Sequence, residues 1–143
     1  MMRDKELIQK ALEARKNAYC PYSHFQVGAA LLAGNGQVFS GCNIENAAYG
    51  PSNCAERTAF FKAVSEGVYE FLTIAIVGGP EEAEELDFCA PCGVCRQVMM
   101  EFCCPETFRI ILAKSADEYQ EYMLQELLPM GFGPGNLEKE NTR

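Results

Sequence analysis

The sequence lacks the features that bind long polyanions or lipid bilayers. Its 143 residues contain 12 lysines and arginines against 20 acidic residues, a formal charge of −8, and the basic residues form no cluster. Without a basic track for a phosphate backbone, the chain is unsuited to long nucleic acid. Every apolar run is shorter than a bilayer requires, which argues against a membrane partner as well.

A secretion signal is also missing, and histidine is scarce. Residues 1–6 are mostly charged, whereas a secretion signal would have an apolar stretch. We therefore expect a soluble, cytoplasmic protein. In that compartment the 8 cysteines favour metal binding and buried thiols over disulfides. The single histidine, His24, is predicted to be a surface residue rather than a metal ligand.

Length and composition predict one globular domain over residues 1–143, with 48% hydrophobic and 22% charged residues. Hydrophobic periodicity predicts helices over residues 2–19, 54–66 and 92–102, and strands over residues 24–33, 37–42, 71–77 and 108–113. Residues 119–124 fit a strand or a helix, and we favour a strand followed by a helical turn over residues 125–128. We expect residues 78–80, Gly-Gly-Pro, to end the third strand. Helices interleaved with strands indicate an α/β three-layer sandwich, with a central sheet of about five strands between helices.

Two short segments carry the candidate chemistry. One contains Cys54 and Glu56, and the other runs from Pro91 through Cys92 to Cys95. Each segment follows a helix-start signal and precedes apolar residues at helical spacing, so the thiols should lie at helix N-termini. The positive end of a helix dipole lowers the pKa of a thiol and favours the thiolate form that metals bind.

The spacing of these residues predicts a zinc site with one open position. Cys92 and Cys95 fall on one helical face and can chelate one ion, with Cys54 as the third ligand. Three protein ligands leave the fourth vertex of tetrahedral zinc free, which is typical of a catalytic site. Glu56 lies about 200° round the helix from Cys54. The ion is therefore expected beyond the helix end, where this carboxylate could handle the protons of a water molecule.

These motifs resemble those of the zinc-dependent nucleoside deaminases. Over nearly the whole chain, the pattern is similar to the small homotetrameric cytidine deaminases, through Tyr22-Ser23-x-Phe25-x-Val27-Gly28-Ala29-Ala30, Gly41-Cys42-Asn43-Ile44-Glu45-Asn46, Cys54-Ala55-Glu56-Arg57-Thr58 and Pro91-Cys92-Gly93-Val94-Cys95-Arg96-Gln97. The resemblance implies a mixed sheet, one Zn²⁺ per chain and hydrolytic deamination of cytidine and deoxycytidine to the uridine nucleosides, with release of ammonia, in pyrimidine salvage.

The resemblance also implies roles for individual residues. Glu56 would carry protons between the attacking water, N3 of the base and the leaving amine. The implied substrate contacts are the ring of Phe25 and the backbone of Ala55 at the base, and Asn43 and Glu45 at the ribose. Active sites of the family are shared between subunits, so Tyr49 and Phe132 would act on a neighbouring subunit and a monomer should be inactive.

The charge of the predicted metal cluster calls for a nearby cation. Three thiolates on a divalent ion leave a net charge of −1, which would raise the pKa of a bound water. Arg57 follows Glu56 and Arg96 follows Cys95, so either guanidinium could hydrogen-bond a ligand sulfur. We expect Arg57 to matter most, which the family pattern supports.

The remaining cysteines leave alternatives open. Cys89-x-x-Cys92-x-x-Cys95, with a later Cys104-Pro105, resembles an iron–sulfur binding run, although the fourth cysteine comes too late for ferredoxin spacing. A structural zinc site would need a fourth protein ligand. Small buried hydrophobic residues are the prediction for Cys20, Cys42, Cys103 and Cys104.

Two other functions fit the same zinc motif. One is deamination of an aminopyrimidine antibiotic nucleoside such as blasticidin S, by a related small tetrameric family. The presence of Phe25 and of the Asn43-x-Glu45 pair favours plain cytidine. The other is a non-catalytic scaffold stabilised by zinc, in which Glu56 would be dispensable.

Overall fold

A single five-stranded sheet organises the computed structural model, which describes residues 2–137. The strands are β1 (Phe25–Ala33), β2 (Val38–Cys42), β3 (Phe71–Pro80), β4 (Arg109–Ala113) and β5 (Tyr119–Met123). Their order in the sheet is β2-β1-β3-β4-β5. β3 and β4 are parallel and the other neighbours are antiparallel, so the mixed sheet is confirmed.

Helices cover both faces of this sheet. They are α1 (Asp4–Arg15), α2 (Ala55–Ser65), α3 (Gly93–Phe102), the short α4 (Leu124–Leu127) and a 3-10 turn at Pro134–Asn136. α1 packs on one face, whereas α2, α3 and α4 contribute to the apolar cluster on the other. The predicted three-layer sandwich is therefore confirmed. In the described range, the longest helix has 12 residues and none is long and apolar enough to cross a bilayer.

Strand β3 shows why the sheet needs helices on both sides. Ile74 and Ile76 point into the cluster that contains α2 and α3, while Ala75 and Val77 point towards α1, and all four are fully buried. A continuous apolar run is typical of a strand covered on both faces. Phe60 of α2 is also fully buried, at the centre of the larger cluster.

Two element boundaries differ from the prediction by three residues or more. α1 ends at Arg15 rather than at residue 19, because the backbone N–H of Tyr19 donates to the Asn43 carbonyl and leaves the helix. β3 continues through the glycines at 78 and 79, which pair with β1. Glycine is needed there because a Cβ at Gly78 would lie 2.9 Å from the sulfur of Cys89. The glycines therefore allow close packing rather than ending the strand.

The position of α2 on the sheet depends on Gly41 of β2. A Cβ at Gly41 would collide with the carbonyl oxygen of Ala55 and lie 2.6 Å from the amide nitrogen of Ala59. Both atoms belong to the backbone of α2, so they cannot move aside as a flexible side chain would. This close approach places the first turn of α2, with Cys54 and Glu56, directly against the β1–β2 hairpin.

We expect Gly41→Ala to lower the free energy of unfolding by about 1–3 kcal/mol, because it forces α2 away from the sheet. Urea unfolding at fixed zinc concentration measures this change. Gly93→Ala is the matched control, since a Cβ there meets no described atom within 4 Å and alanine favours a helix. If Gly41→Ala and Gly93→Ala had the same free energy of unfolding, the close approach of α2 to Gly41 would not contribute to stability.

Candidate active site

The structure brings the three predicted cysteine ligands together at the N-termini of α2 and α3. Cys54 is the N-cap of α2, Cys92 is the N-cap of α3, and Cys95 lies in the first turn of α3. Their sulfur atoms all lie within 4.8 Å of one another. Because α2 and α3 pack on the same face of the sheet, two segments far apart in sequence present their thiols to one point.

The geometry and the chemistry of the three sulfurs fit zinc. A tetrahedral Zn²⁺ with Zn–S bonds of about 2.3 Å needs sulfurs roughly 3.8 Å apart, and the sulfurs of Cys54 and Cys92 are 3.7 Å apart. A hydrogen bond with Cys95, together with one from Arg57, lowers the pKa of Cys54 to about 5. The same hydrogen bond with Cys54 raises the pKa of Cys95. A divalent cation would replace the proton that these thiols share.

Cys89 lies outside the three-cysteine cluster. Its position tests the two alternatives to a catalytic zinc, an iron–sulfur cluster and a structural zinc site. Within residues 2–137, the group of candidate ligands consists of Cys54, Cys92 and Cys95. Cys89 instead packs against Gly78, and burial raises the pKa of its thiol to about 11. The described chain thus offers neither a fourth cysteine for an iron–sulfur cluster nor a fourth ligand for a structural zinc.

Glu56 is the buried carboxyl group beside this cluster. It is the second residue of α2 and is only 4% exposed. Its pKa is raised to about 7, mainly by burial and to a smaller extent by the charge of Cys54, while a backbone hydrogen bond and the charge of Arg57 act in the opposite direction. A carboxyl group that titrates near neutral pH can both accept and return a proton, which is the requirement for a general acid and base.

A cavity of about 270 Å³ opens in front of these groups. That volume lies near the lower end of the range for small-molecule sites. The lining includes four of the predicted site residues besides Cys54, Cys92 and Arg57, namely Asn43, Glu45, Ala55 and Glu56. It also includes residues to which the sequence assigned no role in substrate binding, namely Val27, Ser52, Asn53, Cys89 and Ala90. Val27 belongs to a quoted motif, and Asn53 and Ala90 adjoin one, which was the available signal.

Glu45 and Asn43 are held in place by the start of β1. The Glu45 carboxylate accepts hydrogen bonds from the backbone N–H groups of Tyr22 and Ser23, at 3.0 and 3.1 Å, and from the Ser23 hydroxyl. The Asn43 amide accepts from the N–H of Val27 at 2.9 Å and donates to the carbonyl of Phe25 at 2.8 Å. Both side chains are therefore fixed before any ligand binds.

Three predicted substrate contacts lie outside this cavity. Phe25, Tyr49 and Phe132 are 40%, 73% and 58% exposed, and they are not among the described residues that line the cavity. The ring of Tyr49 contacts Tyr22 edge to face, at 6.4 Å between centroids. Phe25 precedes the cavity residue Val27 on β1, whereas Phe132 belongs to the tail after α4.

The two arginines have different surroundings. The Nη2 atom of Arg57 lies 3.3 Å from the sulfur of Cys54. Its buried Nε has no hydrogen-bond partner in the described part of the chain, which leaves a second donor for the cluster. Arg96 instead donates to the carbonyls of Pro91 at 2.8 Å and Leu127 at 2.7 Å. Arg96 thus ties α3 to its neighbours, and Arg57 is the arginine at a ligand sulfur.

Because Arg57 offsets the negative charge of three thiolates, we expect Arg57→Gln to lower zinc affinity and turnover by about 10- to 100-fold. Titration with a chromogenic chelator and steady-state kinetics measure the two effects. Arg3→Gln, at an exposed arginine paired with Glu6, is the control that removes the same charge elsewhere. Full zinc affinity and full rate in Arg57→Gln would show that the helix N-termini neutralise the cluster without it.

Three thiols that can hold zinc with its fourth position free, next to a carboxyl group that titrates near neutral pH, are the features of a zinc-dependent hydrolase. That class follows from the fold and the site alone. A model of the cytidine and deoxycytidylate deaminase zinc-binding region matches residues 1–111, and the chain belongs to this family.

Individual relatives agree with this placement. A cytidine deaminase of Halalkalibacterium halodurans is 50% identical over 126 residues, which span 88% of this chain and 91% of that protein. The crystal structure of a cytidine deaminase from Burkholderia pseudomallei is 47% identical, with a TM-score of 0.82 over 92% of this chain and 100% of that one. A blasticidin-S deaminase of Bacillus cereus is more distant, at 30% identity over 90% of this chain and 91% of that protein.

Proposed function

We propose that the chain catalyses hydrolytic deamination of cytidine and deoxycytidine, giving uridine and deoxyuridine with release of ammonia, as a step of pyrimidine salvage. The observation that carries the proposal is Glu56, buried beside the three-cysteine cluster and facing a cavity that Asn43 and Glu45 also line. The relatives named cytidine deaminase support the choice of substrate.

Cys54, Cys92 and Cys95 would hold the zinc ion, one per chain. When bound there, zinc supplies the Lewis acidity that makes a water molecule nucleophilic near neutral pH. The chain keeps that chemistry in place through the helix N-termini and through Arg57, which stabilise the thiolates. Arg96 supports the zinc ligands indirectly, because its hydrogen bond to the Pro91 carbonyl fixes the start of α3.

Glu56 manages the protons of the reaction. It takes a proton from the attacking water and delivers it to N3 of the base, so that C4 can become tetrahedral. It then transfers the second proton of the water to the amine, which leaves as ammonia. The sum is one water consumed and one ammonia released, and Glu56 ends as it began. A pKa near 7 lets the Glu56 carboxyl group both accept and return protons near neutral pH.

Binding would divide between base and sugar. The ring of Phe25 packs on the pyrimidine and the backbone of Ala55 contacts its edge, while Asn43 and Glu45 hydrogen-bond the ribose hydroxyls. The hydrogen bonds that already fix Asn43 and Glu45 support this assignment, because groups fixed in advance lose little entropy on binding.

We propose further that the protein forms a homotetramer whose active sites are shared between subunits, with Tyr49 and Phe132 contributed to a neighbour. Both rings are more than half exposed, at 73% and 58%, and so are accessible to a neighbouring copy, which supports this arrangement. Residues 1–143 would form one domain. A cytoplasmic location belongs to the same proposal, since all 8 cysteines are free thiols and three of them must stay reduced to bind zinc.

The decisive experiment follows the loss of ultraviolet absorbance of cytidine, deoxycytidine and blasticidin S side by side, with and without a chelator. We expect turnover of the first two nucleosides, little of blasticidin S, and loss of activity with the chelator that added zinc restores. Faster turnover of blasticidin S would favour the antibiotic deaminases. Inactivity of the zinc-loaded protein on all three would favour a scaffold.

A further inference from the structure

We infer that Gln97 is a positioning residue that holds Phe132 on the outside of its subunit, ready for the substrate site of a neighbouring copy. The inference rests on the proposed function, in which Phe132 serves a neighbouring subunit. The new element of the inference is that helix α3, through Gln97, holds the Phe132 ring in position for the neighbouring subunit.

The first observation is a hydrogen bond between α3 and the tail. The side-chain Nε2 of Gln97 donates to the backbone carbonyl of Phe132 at 2.7 Å. Because the bond holds the backbone, the phenyl ring itself remains free and is 58% exposed. Gln97 lies two residues after the metal ligand Cys95. Helix α3 therefore carries both a zinc ligand, Cys95, and the side chain that holds the C-terminal tail, Gln97.

The second observation is the packing on either side of Phe132. A Cβ at Gly131 would lie 3.2 Å from the sulfur of Met100, and a Cβ at Gly133 would lie 3.1 Å from the Cγ of the same methionine. The chain thus touches α3 immediately before and immediately after Phe132. The N–H of Gly133 also donates to the side chain of Asn136 at 2.8 Å, which fixes the turn that follows.

Together these contacts fix the backbone of residues 131–133 against α3, so this segment is not a mobile lid. Phe132 is not among the described residues that line the cavity of its own subunit, and the contacts on its backbone and on both flanking glycines hold its segment against α3. A ring that is already placed costs little entropy when substrate binds beside it. Loss of the Gln97 donor should therefore weaken substrate binding and raise KM, while the chemical step at Glu56 keeps its kcat.

The test uses the zinc-loaded, assembled enzyme with cytidine as substrate. Gln97→Glu keeps the size of the side chain but places a carboxylate oxygen opposite the Phe132 carbonyl. We expect KM to rise about three- to ten-fold, the value of one net hydrogen bond, with kcat within about two-fold of wild type. Gln97→Lys keeps a donor within reach and should stay near the wild-type KM. Gln9→Glu, the same change on an exposed face of α1, should alter nothing.

A double variant separates this inference from the proposal on which it rests. In the Phe132→Ala background, Gln97→Glu should have no further effect on KM, because both changes remove the same contact. If the two changes have additive effects on KM, the role of Gln97 is overturned and the role of Phe132 stands. The same conclusion follows if Gln97→Glu has a normal KM while Phe132→Ala has a raised KM. A normal KM in Phe132→Ala overturns the contribution to the neighbour as well. Inactivity of the wild type would instead refute the proposed function.

Amide hydrogen exchange supplies a readout that does not depend on activity. Residues 129–137 should exchange faster in Gln97→Glu than in wild type, and at the wild-type rate in Gln9→Glu. Equal protection of the tail in Gln97→Glu and Gln9→Glu would also overturn the inference.

Discussion

Replacing Glu56 with glutamine should lower kcat for cytidine deamination by about 10⁴-fold, because one carboxylate serves as base and then as acid. Glutamine has the same shape and cannot exchange a proton. It also removes a charge from a site that is only 4% exposed, so the fold should not suffer. Loss of cytidine absorbance measures the rate, and atomic absorption should still find about one zinc per chain.

Glu66→Gln is the control for this experiment. Glu66 is the C-cap residue of the same helix and is exposed, so the same chemical change there should leave kcat within about two-fold of wild type. Activity retained in Glu56→Gln with full zinc content would mean that another group transfers the protons. Equal loss of zinc and activity would mean that Glu56 acts on the metal site rather than on the substrate.

The second large effect is expected from Cys92→Ser. A hydroxyl group is a far poorer zinc ligand than a thiolate, and Cys92 is one of three ligands, so zinc content should fall below about 0.1 per chain after dialysis. Turnover should fall in proportion. The N-cap role of the residue survives, since serine is itself a favoured N-cap, and this limits any loss of helix stability.

Cys89→Ser is the matched control, at a cysteine three residues before Cys92 that lies outside the cluster. Its zinc content should remain near one per chain, and both proteins should be colourless. If Cys89→Ser lost its metal as readily as Cys92→Ser, the ligand set would include Cys89. A brown wild-type protein with visible absorbance would revive the iron–sulfur alternative.

The metal site could be predicted from the sequence because it depends on local rules. Helix-start signals place a thiol at each N-terminus, and a spacing of three residues puts Cys92 and Cys95 on one face. The succession of strands and helices along the chain, and the helices on both faces of the sheet, also follow from periodicity and interleaving, whereas the order of the strands within the sheet does not. These features need only neighbouring residues, so one sequence suffices for them.

Other features needed the tertiary structure. The glycines at 78 and 79 have the composition of a strand end, but they continue β3 because Cys89 and Leu86 pack on them. Residue order alone allowed either Arg57 or Arg96 at a ligand sulfur, since each adjoins a site residue, and only the family pattern favoured Arg57. The structure distinguishes them, because Arg96 is occupied by two carbonyls and Arg57 lies at a sulfur. The contact between Arg96 and Leu127 joins positions 31 residues apart, and no local pattern encodes it.

The distance in sequence between Cys54 and Cys92 has a consequence for folding. These residues are 38 positions apart, and strand β3 lies between them. A metal that joins their sulfurs closes a loop of that length, as a disulfide would. Unlike a disulfide, zinc is released when the chain unfolds, so it stabilises the native state by mass action and more strongly as the free zinc concentration rises. Bound zinc would therefore link α2 to α3 reversibly, and the zinc supply would set the stability of the fold as well as the activity.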